Sequence, residues 1–254
     1  MRETVKIFGK FLVTWWLKSI RSLRIYEHLN LINIIDMKKE FWLEKWQNNQ
    51  TGFHKEFTHP LLVEFIDKLN LSAGDSVFVP LCGKTVDLLW LNQQGYRVIA
   101  VELSQLAVEQ FFSENNLSFS KTQESGFAVF RYKNITIYQG DFFNLSKQQL
   151  KDVKAVYDRA ALIALPDELV GQYVDKMREI VPKKAKELLI TLEFIKKLGP
   201  LGPPFTTPDE KVKQLFSCYP SIELVQETDI ISREPKFKEL GCDYVYERVY
   251  LVEF

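Results

Sequence analysis

Cysteine, histidine and methionine each occur only three times in the 254 residues. Cys82, Cys218 and Cys242 lie far apart and form no CxxC pair, which excludes a zinc ribbon and a disulfide framework. His28, His54 and His59 are too few and too scattered to suggest a metal site. Charge of one sign is not in excess either, since 33 Lys+Arg face 33 Asp+Glu. A chain that lives on phosphate backbone carries a large positive surplus, so nucleic acid is not an expected partner. No run of about 18 apolar residues occurs, so stable membrane insertion is not expected. What is present is ordinary for a globular chain, 46% hydrophobic and 26% charged, which excludes disorder for the body. A reducing, cytoplasmic setting fits this composition, and nothing in it demands an oligomer.

The first 36 residues differ from the rest. They hold six Lys/Arg (Arg2, Lys6, Lys10, Lys18, Arg21, Arg24) against three acids (Glu3, Glu27, Asp36). Phe8, Leu12, Trp15 and Trp16 fall near helical spacing, so an amphipathic surface helix is one reading. Lys10 and Lys18 interrupt the apolar stretch and no small-residue cleavage site follows, which argues against a signal peptide. The expectation is an N-terminal extension over 1–36, either poorly packed or upstream of the true start, with the body running from Met37 to Phe254 as one domain.

From residue 76 the pattern is strand, turn, helix, repeated. Ser76–Pro80 is a short apolar run read as a strand, and Thr85–Gln94 is a helix that Gly95 ends. Tyr96–Val101 is a second strand, and Ser104 is the expected N-cap of a helix over 105–115. Phe127–Tyr132 and Ile135–Gln139 read as a hairpin or two adjacent strands about Lys133-Asn134. Val153–Tyr157 is a buried strand, Asp167–Val181 an amphipathic helix stopped at Pro182, and Leu188–Glu193 a strand. Gly199-Pro200-Leu201-Gly202-Pro203-Pro204 is a stiff loop. Helix is expected over Asp209–Phe216, then strands over Glu223–Thr228 and Tyr244–Val252. Repeated βα units closed by two strands predict an α/β fold with a mostly parallel open sheet and an antiparallel C-terminal edge.

Open sheets of this kind bind ligands at the carboxyl ends of their strands, at the switch point. The residues gathered there would be Pro80-Leu81-Cys82-Gly83-Lys84-Thr85, Glu102 and Asp158-Arg159. Three ligands compete for this crevice. A nucleoside triphosphate would use Gly83-Lys84-Thr85, but a phosphate-binding loop needs glycine five positions before Gly83, where Phe78 stands. A dinucleotide would use Glu102, 19 residues after Gly83, for its ribose, but its pyrophosphate needs several glycines and the turn has only Gly83. S-adenosylmethionine needs one close backbone approach, an acid for the ribose hydroxyls and apolar walls, so it fits best on chemistry. The competing reading of Glu102 is a solvated strand end.

Phe41-Trp42-Leu43-Glu44-Lys45-Trp46, Thr51-Gly52-Phe53-His54, Val79-Pro80-Leu81-Cys82-Gly83-Lys84, Val101-Glu102-Leu103-Ser104, Tyr157-Asp158-Arg159-Ala160-Ala161-Leu162 and Gly202-Pro203-Pro204-Phe205 stand in consistent order and spacing. Together they resemble the thiopurine S-methyltransferase family, its bacterial branch in particular, over about residues 37–254. The resemblance implies a Rossmann-like class I methyltransferase using S-adenosyl-L-methionine and no metal. It also implies cofactor-binding roles for Trp46, Leu81, Glu102, Asp141, Phe142 and Arg159. Arg159 would serve the reaction itself, and Phe53 and Lys236 would contact substrate, with Lys236 standing where some members carry arginine.

The reaction implied is an in-line displacement in which a thiol sulfur takes the methyl group of a sulfonium, so the task is mainly alignment. An aromatic thiol is acidic enough to need no strong base. Arg159 could favour the thiolate, or instead pair with Asp158 or another acid at a strand end. Trp42 and Trp46, four apart on a short helix, read as packing for Trp42 and as a lid for Trp46. His54 and His59 read as hydrogen-bonded loop residues, and Cys82 as a small apolar filler. The partner is then a small-molecule thiol. Two alternatives stand beside this: methylation of inorganic selenium or tellurium oxyanions, and a module that binds S-adenosylmethionine without catalysis.

Overall fold

The computed structural model describes residues 39–199 and 202–254. The expectation for residues 1–36 falls outside them. The chain divides into two compact units at Asn48/Asn49. In the first, helix α1 covers 39–47, with Trp46 buried and Phe41 edge-on to Trp42 at 5.5 Å.

The second unit is built on one nine-stranded sheet in the order β3-β4-β5-β2-β1-β6-β7-β9-β8. The strands are β1 (Ser76–Val79), β2 (Arg97–Glu102), β3 (Ser120–Glu124), β4 (Phe127–Tyr132), β5 (Ile135–Gln139), β6 (Val153–Arg159), β7 (Lys186–Phe194), β8 (Ser221–Asp229) and β9 (Val245–Glu253). Strands β5, β2, β1, β6 and β7 run parallel, and β9 and β8 close one edge antiparallel. The four residues of β1 are all buried, as a central parallel strand covered on both faces requires. The expected Phe127–Tyr132 and Ile135–Gln139 strands pair antiparallel. Strand β3 was not expected: its sequence SKTQE is polar and wholly exposed, so it has no apolar alternation to betray it. Ser125 (φ +49°) and Gly126 (φ +85°) turn it onto β4, the left-handed pair a two-residue hairpin needs.

Helices α2 (Pro60–Phe65), α3 (Asp87–Gln93) and α4 (Gln105–Glu114) supply Leu61, Leu62, Leu88, Leu91, Val108 and Phe111 to the main core. That core takes Val77, Val79, Ala100, Ile137, Tyr157, Ile190 and Val249 from one face of the sheet. Helix α4 starts at the expected cap, Ala107 N donating to Ser104 Oγ at 3.2 Å. The other face meets α6 (Asp167–Ile180) and α7 (Asp209–Leu215), reached through Tyr173 to Asp158 and Tyr250 to Asp209. Helix α6 places Asp167 and Glu168 in its first turn and Arg178 in its last, matching its dipole, and stops ahead of Pro182. Short helices α5 (Lys147–Leu150) and α8 (Pro235–Glu239) complete the unit.

Candidate active site at the carboxyl ends of the strands

Strand order reverses beside β1, because the chain steps outward through β2 and then returns to place β6 on the other side. The carboxyl ends of β1, β2 and β6 therefore surround a crevice, where such sheets hold ligands. The turn after β1 is kept open by two left-handed residues, Leu81 at φ +45° and Gly83 at φ +55°. After β6, Ala160 is left-handed too, at φ +67°. For Leu81 and Ala160 this costs on the order of 1–3 kcal/mol each, a strain that clusters where the site would be. Cys82 N donates to Val101 O at 3.0 Å, pinning the turn to β2.

Glu102 ends β2 and is 7% exposed. Gly83 N donates to its Oε2 and Ser104 N to its Oε1, both at 2.8 Å. Burial pushes its carboxyl up, and the N–H groups of Ser104, Gly83 and Leu103 oppose that shift. Gly83 N and Ser104 N take one site on each oxygen, and a carboxylate offers about four lone-pair sites, so acceptor capacity remains for a diol. Lys84 does not face a phosphate cradle: its Nζ is 2.6 Å from Glu114 of α4. Burial, and then the Glu102 charge, push the Cys82 thiol well above its ordinary value, so it is held protonated, as a filler would be.

Beyond β5, Gly140 N donates to Glu102 O at 2.8 Å, which brings the next segment to the same end. Asp141 Oδ1 accepts from Phe143 N at 2.9 Å and caps the short 3-10 turn that presents Phe142. Phe142 is buried, its ring 4.8 Å from that of Tyr173. The Tyr173 hydroxyl donates to Asp158 Oδ2 at 2.5 Å, and Leu162 N donates to Asp158 Oδ1 at 3.1 Å. Asp158 is thus engaged on the α6 face of the sheet, and among the described residues Arg159 makes no ion pair. The pairing of Asp158 with Arg159 weighed from sequence is not formed, because alternation along β6 sends the two side chains to opposite faces.

Glu187 of β7 lies on the Asp158 face, fully buried, and among the described residues no group hydrogen-bonds to its Oε2. Burial and the Asp158 charge push Glu187 well up, while burial pushes Asp158 to about 6. Asp158 accepts from Tyr173 and Leu162, which favours its charged form and opposes the effect of burial.

The residues expected to contact substrate lie on distant segments. Lys55 Nζ lies 3.0 Å from Glu234 Oε1, joining the stretch that carries Phe53 to the stretch that carries Lys236. Lys236 is on α8, 4.0 Å from Glu234 and 5.7 Å from the Phe237 ring centroid. His54 is held below its usual value by burial first and then by the charge of Lys84, with a smaller push from Arg159. Leu81, Glu102, Asp141, Phe142 and Arg159 therefore meet at one end of the sheet, with Phe53 and Lys236 on linked segments beside it. Trp46 belongs to the first unit. Sequence reasoning missed the part Tyr173 plays, and the pair His59–Glu247, whose Nε2 and Oε1 are 3.5 Å apart. No spacing rule signals contacts between residues so far apart in the chain.

A carboxylate at the second strand, a single bare glycine turn and an apolar wall at Phe142 fit S-adenosylmethionine. Among the described residues no group of His, Cys, Asp and Glu could hold a metal ion, and no helix is long and apolar enough to cross a membrane. The family model for thiopurine S-methyltransferase matches residues 37–253. The thiopurine S-methyltransferase of Pseudomonas aeruginosa (strain LESB58) is 42% identical over 217 residues, 85% of this chain and 99% of that one. The enzyme of that name from Shewanella loihica is 42% identical over 214 residues, 84% of this chain and 98% of that one. Among solved structures, Burkholderia thailandensis 1,6-didemethyltoxoflavin-N1-methyltransferase, with bound 1,6-didemethyltoxoflavin and S-adenosylhomocysteine, shares the fold. It has a TM-score of 0.57 at 10% identity, over 90% of this chain and 89% of that one.

Proposed function

This chain belongs to the thiopurine S-methyltransferase family, and we propose that the crevice at the carboxyl ends of β1, β2 and β6 is where it methylates the sulfur of an aromatic or heterocyclic thiol. S-adenosylmethionine supplies an activated methyl group on a sulfonium. The observation that carries the reading is Glu102, a nearly buried carboxylate fixed by two backbone N–H groups at 2.8 Å with acceptor sites to spare. It would take the ribose hydroxyls, while Leu81 and Phe142 wall the nucleoside and Asp141 lies beside the base. Arg159, always charged and two residues beyond the buried Tyr157 on the same sheet face, would draw a thiolate toward the crevice. Phe53 would flank the acceptor ring and Lys236 its outer edge. The cofactor role of Trp46 rests on the family resemblance, and Trp46→Ala tests it through cofactor affinity.

The protein then works as a small-molecule enzyme, with the cytoplasm as its place. Support for that setting comes from three free cysteines, two of them buried. Transfer of labelled methyl from S-adenosylmethionine to 6-mercaptopurine is the expected result of a direct assay. Binding of the cofactor with no methylation of any thiol would instead leave a binding module.

A further inference from the structure

We propose that Tyr173 is a positioning residue with two separable duties: its ring backs Phe142 on the cofactor side of the crevice, and its hydroxyl, acting through Asp158, sets the turn that aims Arg159. This deepens the methyltransferase reading and rests on it. Tyr173 lies in the middle of α6 and is 1% exposed. Its ring centroid is 4.8 Å from that of Phe142. Its hydroxyl donates to Asp158 Oδ2 at 2.5 Å. One side chain thereby touches both the segment that follows β5 and the end of β6.

Asp158 is fully buried and passes the contact on. Its Oδ1 accepts from Leu162 N at 3.1 Å, and the N–H of Ala161 turns toward the same carboxylate. These bonds close the chain over Ala160, left-handed at φ +67°. A non-glycine residue keeps that conformation only where its surroundings fix it. Arg159 therefore stands between two restraints, its register with Ile190 of β7 on one side and the turn closed by Asp158 on the other. Alternation sends Asp158 toward α6 and Arg159 to the opposite face. A shift of the Asp158 carboxyl moves the backbone from which the guanidinium extends. The same turn runs on to Ile163, whose O accepts from Phe205 N at 2.7 Å, so the Pro203-Pro204-Phe205 loop hangs on it too.

The hydroxyl is not what holds α6 in place. Leu169, Val170, Val174 and Met177 are buried along the same helix, and the Tyr219 hydroxyl donates to Val174 O at 2.8 Å. Phenylalanine at position 173 keeps the ring, the helix and the contact with Phe142, and loses only the bond to Asp158. Leucine there loses both. Where a reaction depends on alignment, a small displacement of the turn lowers the rate and leaves cofactor binding alone. Loss of the ring acts on binding instead, because Phe142 is left without its backing.

The test measures kcat for 6-mercaptopurine at saturating cofactor, and S-adenosylhomocysteine affinity by calorimetry, on the full chain and on Tyr173→Phe and Tyr173→Leu. Tyr173→Phe is expected to lower kcat by about tenfold with the Kd for S-adenosylhomocysteine nearly unchanged. Tyr173→Leu is expected to show that loss and to raise the Kd by about fivefold or more. Should Tyr173→Leu not fold, Phe142→Leu removes the ring contact from the other side and is expected to raise the Kd alone. A Tyr173→Phe enzyme that loses kcat and affinity together, or loses neither, overturns the proposal, as does an unchanged Kd once the ring contact is gone. A wild type that binds S-adenosylhomocysteine and methylates no thiol removes the underlying reading, and this one with it, whereas an active wild type matched by Tyr173→Phe removes this one alone.

Discussion

At Glu102 the chain accepts the cost of burying a carboxylate, and two backbone N–H groups offset it. Glu102→Gln keeps the shape and one acceptor oxygen but presents an N–H₂ to an amide donor. Its affinity for S-adenosylhomocysteine is expected to fall by about 1–3 kcal/mol, measured by calorimetry, with the fold retained. Unchanged affinity would put the ribose elsewhere. Arg159 differs in kind, since it has no carboxylate partner among the described residues, and it is proposed for the reacting side. For Arg159→Met, kcat/KM for a thiol is expected to drop by about tenfold or more while S-adenosylhomocysteine binding changes less, because a charge facing a thiolate is lost in a poorly solvated place. An equal loss in cofactor binding would assign Arg159 to the cofactor alone.

Strand β6 and helix α6 are joined by the Tyr173–Asp158 hydrogen bond, and their coupling has a pH signature. Asp158 binds its proton more tightly in the folded chain, at about 6, than at its usual 3.8. Its contribution therefore favours the fold below about pH 4 and is lost as pH rises toward 6. Asp158→Asn has no such proton, so its melting temperature relative to wild type is expected to rise between pH 4 and 6 and to level off above. Parallel melting curves across that range would deny the burial penalty. Such a link was not legible from sequence. The strands themselves were, because β1, β2, β5 and β6 are apolar runs with turn residues at their ends, and Ser104 is a visible cap. Strand β3 was hidden because it is an exposed polar edge whose only signal is Ser125-Gly126. Of the site, the residues that follow strands could be placed by topology. The contacts of His59, Asp87, Tyr157 and Glu247 could not, since they arise from tertiary folding between positions up to 188 apart and no local pattern encodes them.

Taken whole, the molecule is a sheet whose two covered faces do different work. The face toward α2, α3 and α4 carries Arg159 and Glu247, and the face toward α6 carries Asp158, which braces the β6 turn through Leu162 N. The family match begins at residue 37, which motivates a chain starting at Met37. That shortened chain is expected to fold and to retain methyl transfer, read by circular dichroism and by release of S-adenosylhomocysteine. Loss of either would give residues 1–36 a necessary part.

The most direct measurement is a crystal structure of the full chain with S-adenosylhomocysteine. Its ribose hydroxyls are expected within hydrogen-bond distance of Glu102, with the nucleoside against Leu81 and Phe142. Density for that molecule at any other place, with the ends of β1 and β2 holding none of it, would contradict the assignment.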